Sequence, residues 1–415
     1  MKEGKKLVPK LRFPEFRNAE RWKLVTLREA SVPVTERVGQ RKLTPVSISA
    51  GIGFVPQAEK FGRDISGNQY QLYTLVRDGD FVFNKGNSLK FPQGCVYLLQ
   101  GWGQVAAPNV FICFRLKDGY SNGFFQNCFE QNQHGNQLKK HITSGARSNG
   151  LLNISKETFF GVEIQTPSPP EQQKIAECLS SVDELMATQA RKLDALKTHK
   201  KGLMQQLFPC ESESQPRLRF PEFQNAGEWM VRKAGALFSN RVTKGEQGLP
   251  IYSVTMHDGM VRRDSLDRNY YDIEDAAGNK KVCRNDIAYN MMRMWQGALG
   301  VAPEDCLVSP AYIVLAPAKG TVPEFFRYIF KLPATLLTLT AHSRGLTKDR
   351  LRLYYDDFAR IPLRCPSPDE QQRIADCLTS LDDLIAAQTQ KLDALKTHKQ
   401  ALMQQIFPSP EEVEA

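Results

Sequence analysis

Two stretches of the chain repeat apolar residues at heptad spacing. Residues 167–209 and 366–408 each begin Pro-Ser-Pro and continue with Glu-Gln-Gln in the next turn, which is typical of a helix entry. Apolar residues then recur at alternating intervals of four and three. In the first stretch these residues are Ile175, Leu179, Val182, Met186, Leu193, Leu196, Leu203 and Leu207. In the second they are Ile374, Leu378, Leu381, Ile385, Leu392, Leu395, Leu402 and Ile406. The pattern predicts two helices of about 37 residues, each on the order of 55 Å long.

The two stretches are also near-copies of each other, identical at about 30 of 43 positions without a gap. Polar residues interrupt both apolar seams at matched places, Gln189 with Gln388 and Lys200 with Lys399. Two such helices can bury their stripes on each other as an antiparallel pair, with the polar positions fixing the register. A helical hairpin or a homodimer zipper without any spacing role is the alternative.

A second repeat shows that the duplication covers a whole module. The hexapeptide Leu-Arg-Phe-Pro-Glu-Phe stands at Leu11–Phe16 and again at Leu218–Phe223. An Asn-Ala pair and a tryptophan follow each copy, Trp22 and Trp229. A period of about 200 residues is too long for a solenoid. The order is therefore motif, variable block and long helix, occurring twice, which predicts an internal pseudo-two-fold repeat.

The two variable blocks differ in most positions but share a frame of alternating apolar residues. Residues 79–84 resemble 285–290, residues 94–96 match 300–301, and residues 107–110 match 309–312. The alternation predicts paired strands on a common scaffold with different loops between them. Two readers of different targets require such an arrangement.

Composition narrows the class of protein. The chain is 41% hydrophobic and 24% charged, with no run of eighteen apolar residues and no apolar stretch after the basic start, so we expect a cytoplasmic protein without a membrane span. Nine scattered cysteines without a CxxC pair favour reduced thiols over disulfides or zinc. The net charge of +10 suits a polyanionic partner such as nucleic acid.

Motifs of catalysis are missing from the sequence. There is no phosphate-binding Gly-x-x-x-x-Gly-Lys-Ser/Thr loop, no His-Glu-x-x-His pair and no dinucleotide glycine fingerprint. Pro169-Pro170 lacks the flanking residues of an adenine methyltransferase motif. We therefore expect a chain with no catalytic site and no metal site.

The ends of the two variable blocks carry a recognisable pattern. The first runs from Gly150–Ser155 through Pro167 into Glu171–Ile175, and the second runs from Gly345-Leu346 through Pro366 into Glu370–Ile374. With the duplication, this pattern resembles the specificity subunit of Type I restriction–modification systems over nearly the whole chain.

The resemblance implies a function. Each block would be a target recognition domain that reads one half of a bipartite, asymmetric site on double-stranded DNA. The helices would set the separation of the half-sites and offer a surface to two methyltransferase subunits, which motor-nuclease subunits then join. Partner subunits would use S-adenosylmethionine, ATP and Mg²⁺ for adenine methylation and restriction, and the chain itself would need no cofactor.

Two other classes stay open on the residues alone. A self-sufficient restriction or methylating enzyme would be much longer and would show methyltransferase motifs. A coiled-coil adaptor would account for the helices but not for two divergent blocks or the basic charge.

Candidate DNA contacts lie in polar loops at matched places in both blocks. Lys and Arg are suited to phosphates, and Asn, Gln and Ser to base edges. In the first block the candidates are Asn84, Lys85, Asn87, Ser88, Lys90, Arg147 and Asn149. In the second they are Arg262, Arg263, Asn290, Arg293, Gln296, Arg344, Lys348 and Arg350. Trp102 and Trp295 are interpreted as core or loop anchors rather than as base-stacking platforms.

The predicted fold class is α+β, with two mixed α/β target recognition domains joined by two long antiparallel coiled-coil helices. The segments follow in order along the chain. They are a first recognition domain (1–166), a helix (167–209), a linker (210–217), a second recognition domain (218–365), a helix (366–408) and an acidic tail (409–415).

Overall fold

The structure is a computed structural model, and it describes residues 9–86, 91–142, 152–210, 213–256, 258–266, 276–347 and 350–408. The chain divides into two compact units. Unit 1 comprises residues 1–190 with 390–415, and unit 2 comprises residues 191–389. This division runs across both long helices, whereas the sequence-based division treats each helix as a segment of its own.

Unit 1 is a mixed α/β unit. Its described strands are β1 (Lys23–Thr26), β2 (Ser31–Pro33), β3 (Thr44–Ser49), β4 (Gly53–Pro56), β5 (Thr74–Arg77), β6 (Asp80–Asn84), β7 (Cys95–Leu98), β8 (Gln104–Ala107), β9 (Ile112–Leu116) and β10 (Glu163–Thr166). Its helices are α1 (Leu27–Ala30), α2 (Gln57–Phe61), α3 (Asn122–Glu130), α4 (Gln133–Leu138), α5 (Lys156–Phe160), the first part of α6 (Pro169–Leu207) and the last part of α11 (Pro368–Ile406).

Unit 2 has a similar order of elements, but its described residues contain no α-helix that corresponds to α2. Its described strands are β11 (Met230–Lys233), β12 (Phe238–Asn240), β13 (Tyr252–Val254), β14 (Met260–Arg262), β15 (Lys280–Val282), β16 (Ile287–Asn290), β17 (Leu299–Val301), β18 (Cys306–Val308), β19 (Tyr312–Pro317) and β20 (Pro362–Cys365). Its helices are the last part of α6, α7 (Ala234–Leu237), α8 (Pro323–Ile329), α9 (Pro333–Ala341), α10 (Tyr355–Phe358) and the first part of α11 (Pro368–Ile406).

Both units contain a four-stranded antiparallel sheet of the same connectivity, β2-β9-β6-β7 in unit 1 and β12-β19-β16-β17 in unit 2. In unit 1 a second sheet, β4-β3-β8-β5, includes one parallel pair. In unit 2 the pairs β13-β14 and β15-β18 occupy the corresponding positions, and a parallel bridge from Ile251 to Leu307 links them. A two-stranded ribbon, β1-β10 or β11-β20, completes each unit.

Strand register tests the matches expected between the variable blocks. Residues 79–84 and 285–290 do correspond, since each segment leads into the central strand from a left-handed residue, Gly79 at φ +92° and Asn285 at φ +70°. The other two matches are displaced. Gly300 pairs with Ala288 of β16, and Tyr97 pairs with Val82, the corresponding residue of β6. Gly300 therefore corresponds to Tyr97 and not to Gly94. The glycines at positions 94 and 300 therefore do not mark the same place in the two sheets.

The third expected match is displaced by a single residue. The carbonyl of Pro108 accepts the amide of Phe111 at 3.1 Å, and the carbonyl of Ser309 accepts the amide of Tyr312 at 3.0 Å. Pro108 therefore corresponds to Ser309 rather than to Pro310. The prolines misled the comparison because they occupy different positions of the same turn.

Aromatic side chains form the core of each unit. In unit 1, Phe83 stacks on Phe159 at a centroid distance of 4.4 Å, and Phe81 stacks on Phe114 at 5.3 Å. In unit 2, Phe238, Phe326 and Phe358 are fully buried around β16. Burial of side chains this large is the main favourable contribution to the stability of each unit.

The long helices also contribute to these cores. In unit 1, Ile175 and Leu179 near the start of α6 pack in one cluster with Ile406 and Phe407 at the end of α11. In unit 2 the corresponding residues are Leu207 and Phe208 from the end of α6, with Ile374 and Leu378 from the start of α11. The two helices are therefore antiparallel within each unit, which confirms the predicted fold class.

The two seam lysines form ion pairs. The Nζ atom of Lys399 lies 2.8 Å from Asp183 and 3.2 Å from Glu130 of α3. Lys200 forms an ion pair with Asp382, whose other oxygen accepts the hydroxyl of Tyr328 at 2.7 Å. Each seam lysine thus joins α6 to α11. Lys399 also links this helix pair to α3, and the partner of Lys200 links it to α8. Within the described part of the chain, no helix is long and apolar enough to cross a membrane.

Candidate nucleic-acid interface

The repeated hexapeptide fixes each unit to its long helices. The guanidinium of Arg12 donates to both carboxylate oxygens of Glu171, in the first turn of α6, at 2.7 Å each. The amide of Leu11 donates to the carbonyl of Gln405 near the end of α11 at 2.9 Å. One motif therefore contacts the start of one helix and the end of the other.

Unit 2 repeats this junction. Arg219 donates twice to Glu370 at 2.7 Å, and the amide of Leu218 donates to the carbonyl of Gln206 at 2.9 Å. Only 8% of each arginine side chain and 1% of each glutamate side chain is exposed. The sequence shows the repeat of this motif, but the partners of its arginines are about 150 residues away and emerge only from the fold.

The first candidate loop of unit 2 follows β16. The Asn290 side chain accepts the amide of Met292 at 3.0 Å, and the amide of Arg293 donates to the Asn290 carbonyl at 2.9 Å. Met294 is buried beneath the loop, while the Arg293 side chain is exposed and Gln296 is half-buried. Asn290 thus shapes the turn, and Arg293 extends into solvent, where a phosphate can reach it.

The second candidate loop of unit 2 lies directly beside the first. Arg344 and Arg352 exchange two backbone hydrogen bonds of 2.9 Å, and the next residue, Leu353, donates its amide to the carbonyl of Met291 at 2.9 Å. The structure therefore brings together Asn290, Arg293, Arg344 and Arg350, which the sequence had placed in separate loops.

Arg344 has a partner that the sequence did not predict. Its Nε and Nη2 atoms lie 2.7 Å from the two carboxylate oxygens of Asp357, a buried residue at α10. The hydrogen bond to this carboxylate raises the pKa of Arg344. Because 64% of the Arg344 side chain remains exposed, the guanidinium is oriented by Asp357 and still open to solvent.

Unit 1 has the corresponding arrangement. The Asn84 side chain accepts the amide of Gly86 at 2.8 Å and donates to the carbonyl of Ile48 at 3.2 Å, while the carbonyl of Lys85 accepts the amide of Leu152 at 2.9 Å. Asn84 and Asn290 therefore form the same kind of turn at the end of the central strand. The remaining candidates Asn87, Ser88, Lys90, Arg147, Asn149 and, in unit 2, Lys348 lie outside the described residues.

A buried histidine packs against β6 and α3 in unit 1. His134 is 1% exposed, and its ring lies edge-on to Phe83 at 6.0 Å and to Phe129 at 5.6 Å. Burial lowers the pKa of His134 to about 4. The ring is therefore neutral at physiological pH and packs among the aromatic side chains of the core.

Arg262 and Arg263 are not brought to the two adjacent loops of unit 2. Arg262 pairs in register with Tyr252, whose hydroxyl donates to Glu304 at 2.7 Å, beyond the end of β17. The loop containing Arg293 lies at the other end of β17. The strand that contains Arg262 therefore lies in a different part of unit 2 from the two adjacent loops.

One exposed arginine next to these loops was missed by sequence reasoning. In Arg350-Leu351-Arg352-Leu353 the leucines are buried and both arginines are exposed. This alternation is the signature of an extended segment with one solvated face. Reading the period of two at this point would have added Arg352 to the candidates.

Comparison with known proteins identifies the family. The family model described as "Type I restriction modification DNA specificity domain" matches residues 68–198 and 227–397, more than half of the chain. The chain belongs to this family. The resemblance found in the sequence is thereby confirmed.

Curated relatives agree with the family assignment. The chain is 24% identical over 277 residues to the putative type I restriction enzyme MjaX specificity subunit of Methanocaldococcus jannaschii, covering 64% of this chain and 62% of that protein. It is 29% identical over 143 residues to the type I restriction enzyme HindI specificity subunit of Haemophilus influenzae, covering 32% and 31% respectively. The chain thus matches less than two thirds of the length of these relatives.

Solved structures share the fold over more of the chain. The crystal structure of a Type I restriction–modification system S subunit from M. genitalium superposes with a TM-score of 0.61 at 14% identity, covering 97% of this chain and 99% of that one. A chain from a structure on the assembly and conformational transition of the type I R-M system gives a TM-score of 0.50 at 17% identity, covering 94% and 98%. At these identities the likeness concerns the fold.

Proposed function

We propose that this chain is the non-catalytic DNA-reading subunit of a Type I restriction–modification complex, with each unit reading one part of a bipartite, asymmetric sequence. The observation that carries the proposal is the repeated framework with different loops. Asn84 and Asn290 end corresponding strands in the same kind of turn, yet the following residues are Lys85-Gly86 in one unit and Met291-Met292-Arg293 in the other. Two scaffolds of one design with different loop chemistry suit two different half-sites.

The two long helices are proposed to keep the half-sites at a set spacing. Each has 39 residues, or about 58 Å of helix at 1.5 Å per residue. A buried ion pair joins each reading unit to its helix, through Arg12 in unit 1 and Arg219 in unit 2. Buried bidentate pairs restrict geometry more than exposed pairs do, which supports a rigid attachment of readers to spacer.

The chemistry is assigned to partner subunits. The sequence has no nucleotide-binding or methyltransferase motif, so the proposal gives adenine methylation to two methyltransferase subunits and restriction to motor-nuclease subunits. S-adenosylmethionine, ATP and Mg²⁺ would be used by those partners.

A methyl-transfer assay tests the division of labour. Target DNA and labelled S-adenosylmethionine would be incubated with the chain alone, with the methyltransferase subunits alone, and with both together. We expect methylated adenine only in the complete mixture. Methyl transfer by the chain alone would contradict the proposal.

Binding measurements test the candidate loops. Arg147→Ala and Arg344→Ala should each weaken binding of the complex to its target duplex and make the affinity less dependent on salt, since each removes one phosphate-neutralising charge. Unchanged affinity and salt dependence in both variants would exclude these loops from the interface.

A further inference from the structure

Leu346 is completely exposed, and its two chain neighbours make close backbone contacts. Its side chain is 100% exposed, next to Gly345 in the second candidate loop of unit 2. A Cβ atom on Gly345 would lie 2.6 Å from the carbonyl oxygen of Arg350, so two backbone segments touch there. The amide of Arg350 also donates to the carbonyl of Thr347 at 3.0 Å. Gly345 and Thr347, the two neighbours of Leu346 along the chain, are therefore both held against Arg350.

The backbone on both sides of this loop, at Arg344 and Arg352, is attached to the core of unit 2. Arg344 and Arg352 are joined by two backbone hydrogen bonds, and the Arg344 guanidinium is bound by the buried Asp357. Leu353, which follows, is completely buried. The backbone beside Leu346 is therefore already held before binding, so ordering it adds little to the cost of contacting a ligand.

A single exposed leucine is common on protein surfaces and implies nothing alone. The surroundings of Leu346 are what matter. Exposed Arg344, Arg350 and Arg352 flank it, and the adjacent loop adds exposed Met292 and Arg293. An exposed leucine on a loop with several exposed arginines suits a DNA groove, where cations bind phosphates and the thymine C5 methyl is the one apolar group on the major-groove base edges.

We propose that Leu346 determines specificity by contacting the C5 methyl group of a thymine in the half-site that unit 2 reads. This inference rests on the proposed function, because it requires unit 2 to read DNA. It predicts that this half-site contains at least one thymine whose methyl group contributes to recognition.

Replacement of thymine by uracil removes only that methyl group. The target sequence would first be found from the positions that the complete methyltransferase complex methylates. Each thymine of that target duplex would then be replaced by uracil in turn, and the affinity of the same complex for each duplex would be measured. With the native chain, one uracil in one half-site should weaken binding about fourfold, the effect of losing one buried methyl group. With Leu346→Ala the same duplex should bind as well as the thymine duplex, and Leu346→Met should keep most of the discrimination.

Leu24→Ala is the matched control. Leu24 is a half-exposed leucine on β1 in unit 1, and its replacement should leave the uracil effect unchanged. The inference is overturned if no uracil substitution weakens binding. It is also overturned if uracil weakens binding equally in the native chain and in Leu346→Ala, which is the result expected if Leu346 inserted between base steps and did not contact the methyl group. A complex with no sequence preference would instead refute the proposed function itself.

Discussion

Removal of the Arg12 side chain is expected to destabilise unit 1 strongly. The guanidinium donates to both oxygens of Glu171 at 2.7 Å and to the carbonyls of Ala19 and Glu20 at 3.0 and 2.8 Å. In Arg12→Ala the Glu171 carboxylate would stay buried with only the Trp22 indole, at 3.2 Å, as a side-chain donor. Breaking a buried ion pair from one side costs about 3–5 kcal/mol, and we expect a loss of that size in the free energy of unfolding of unit 1.

A surface pair between the same motif and the same helix provides the control. Lys174 of α6 lies 3.5 Å from Glu15, and about half of each side chain is exposed. Exposed pairs contribute about 0–1 kcal/mol, so Lys174→Ala should have a small effect. Arg219→Ala removes the corresponding buried pair in unit 2, and it should destabilise that unit while leaving unit 1 unchanged.

Hydrogen exchange followed by mass spectrometry assigns the loss to a unit. Peptides from the β6 and β9 region of unit 1 should lose protection in Arg12→Ala, and peptides from β16 and β19 should keep it. Combining Arg12→Ala with Glu171→Ala should restore part of the loss, because no unpaired charge is then buried. A loss in Arg12→Ala no larger than that in Lys174→Ala would refute the reasoning.

Three further predictions follow from named groups. Burial lowers the pKa of Lys399, but the hydrogen bond to Asp183 and the charges of Asp183 and Glu130 outweigh it and raise the pKa overall. Lys399→Met should therefore cost stability below pH ~10.4, and the difference from the native chain should vanish as pH rises through the raised folded pKa. Burial holds the pKa of His134 at about 4, below the unfolded value of about 6.5, so the native chain should lose stability as pH falls from ~6.5 toward 4 and His134→Leu should lose less. Arg293→Ala should weaken DNA binding and reduce the salt slope by about one.

The outcomes that would contradict these predictions are specific. A Lys399→Met variant as stable as the native chain at pH 7 would mean that the seam ion pairs contribute nothing. Identical acid unfolding of the native chain and His134→Leu would mean that the ring is not buried in the neutral form. An unchanged salt slope in Arg293→Ala would exclude this arginine from contact with phosphate.

Features encoded by local pattern were predictable from the sequence. The heptad spacing predicted both long helices, and the repeated hexapeptide predicted the duplication. The match of Asp80 with Asp286 was also predictable, because each carboxylate accepts an amide three residues earlier, at 2.8 and 2.9 Å, and so keeps a local signature.

Long-range partners were not predictable in the same way. Asp80 pairs with Arg115 on β9, whereas Asp286 pairs with Arg241 just after β12. Because β9 corresponds to β19 and not to β12, the two arginines come from different places in the repeated sheet. The bond between Arg344 and Asp357 is equally invisible in the sequence. Such pairs depend on sheet order and on which face a side chain occupies, and a single sequence contains no direct record of either.

The methylome of cells that carry the complete system tests the central claim most directly. Two reading units on one chain predict a methylated motif of two unlike specified parts separated by a fixed unspecified spacer. Exchanging the loop residues around Arg293 should change one part and leave the other part and the spacer length unchanged. A continuous palindromic motif, or a change in both parts after that exchange, would contradict the account.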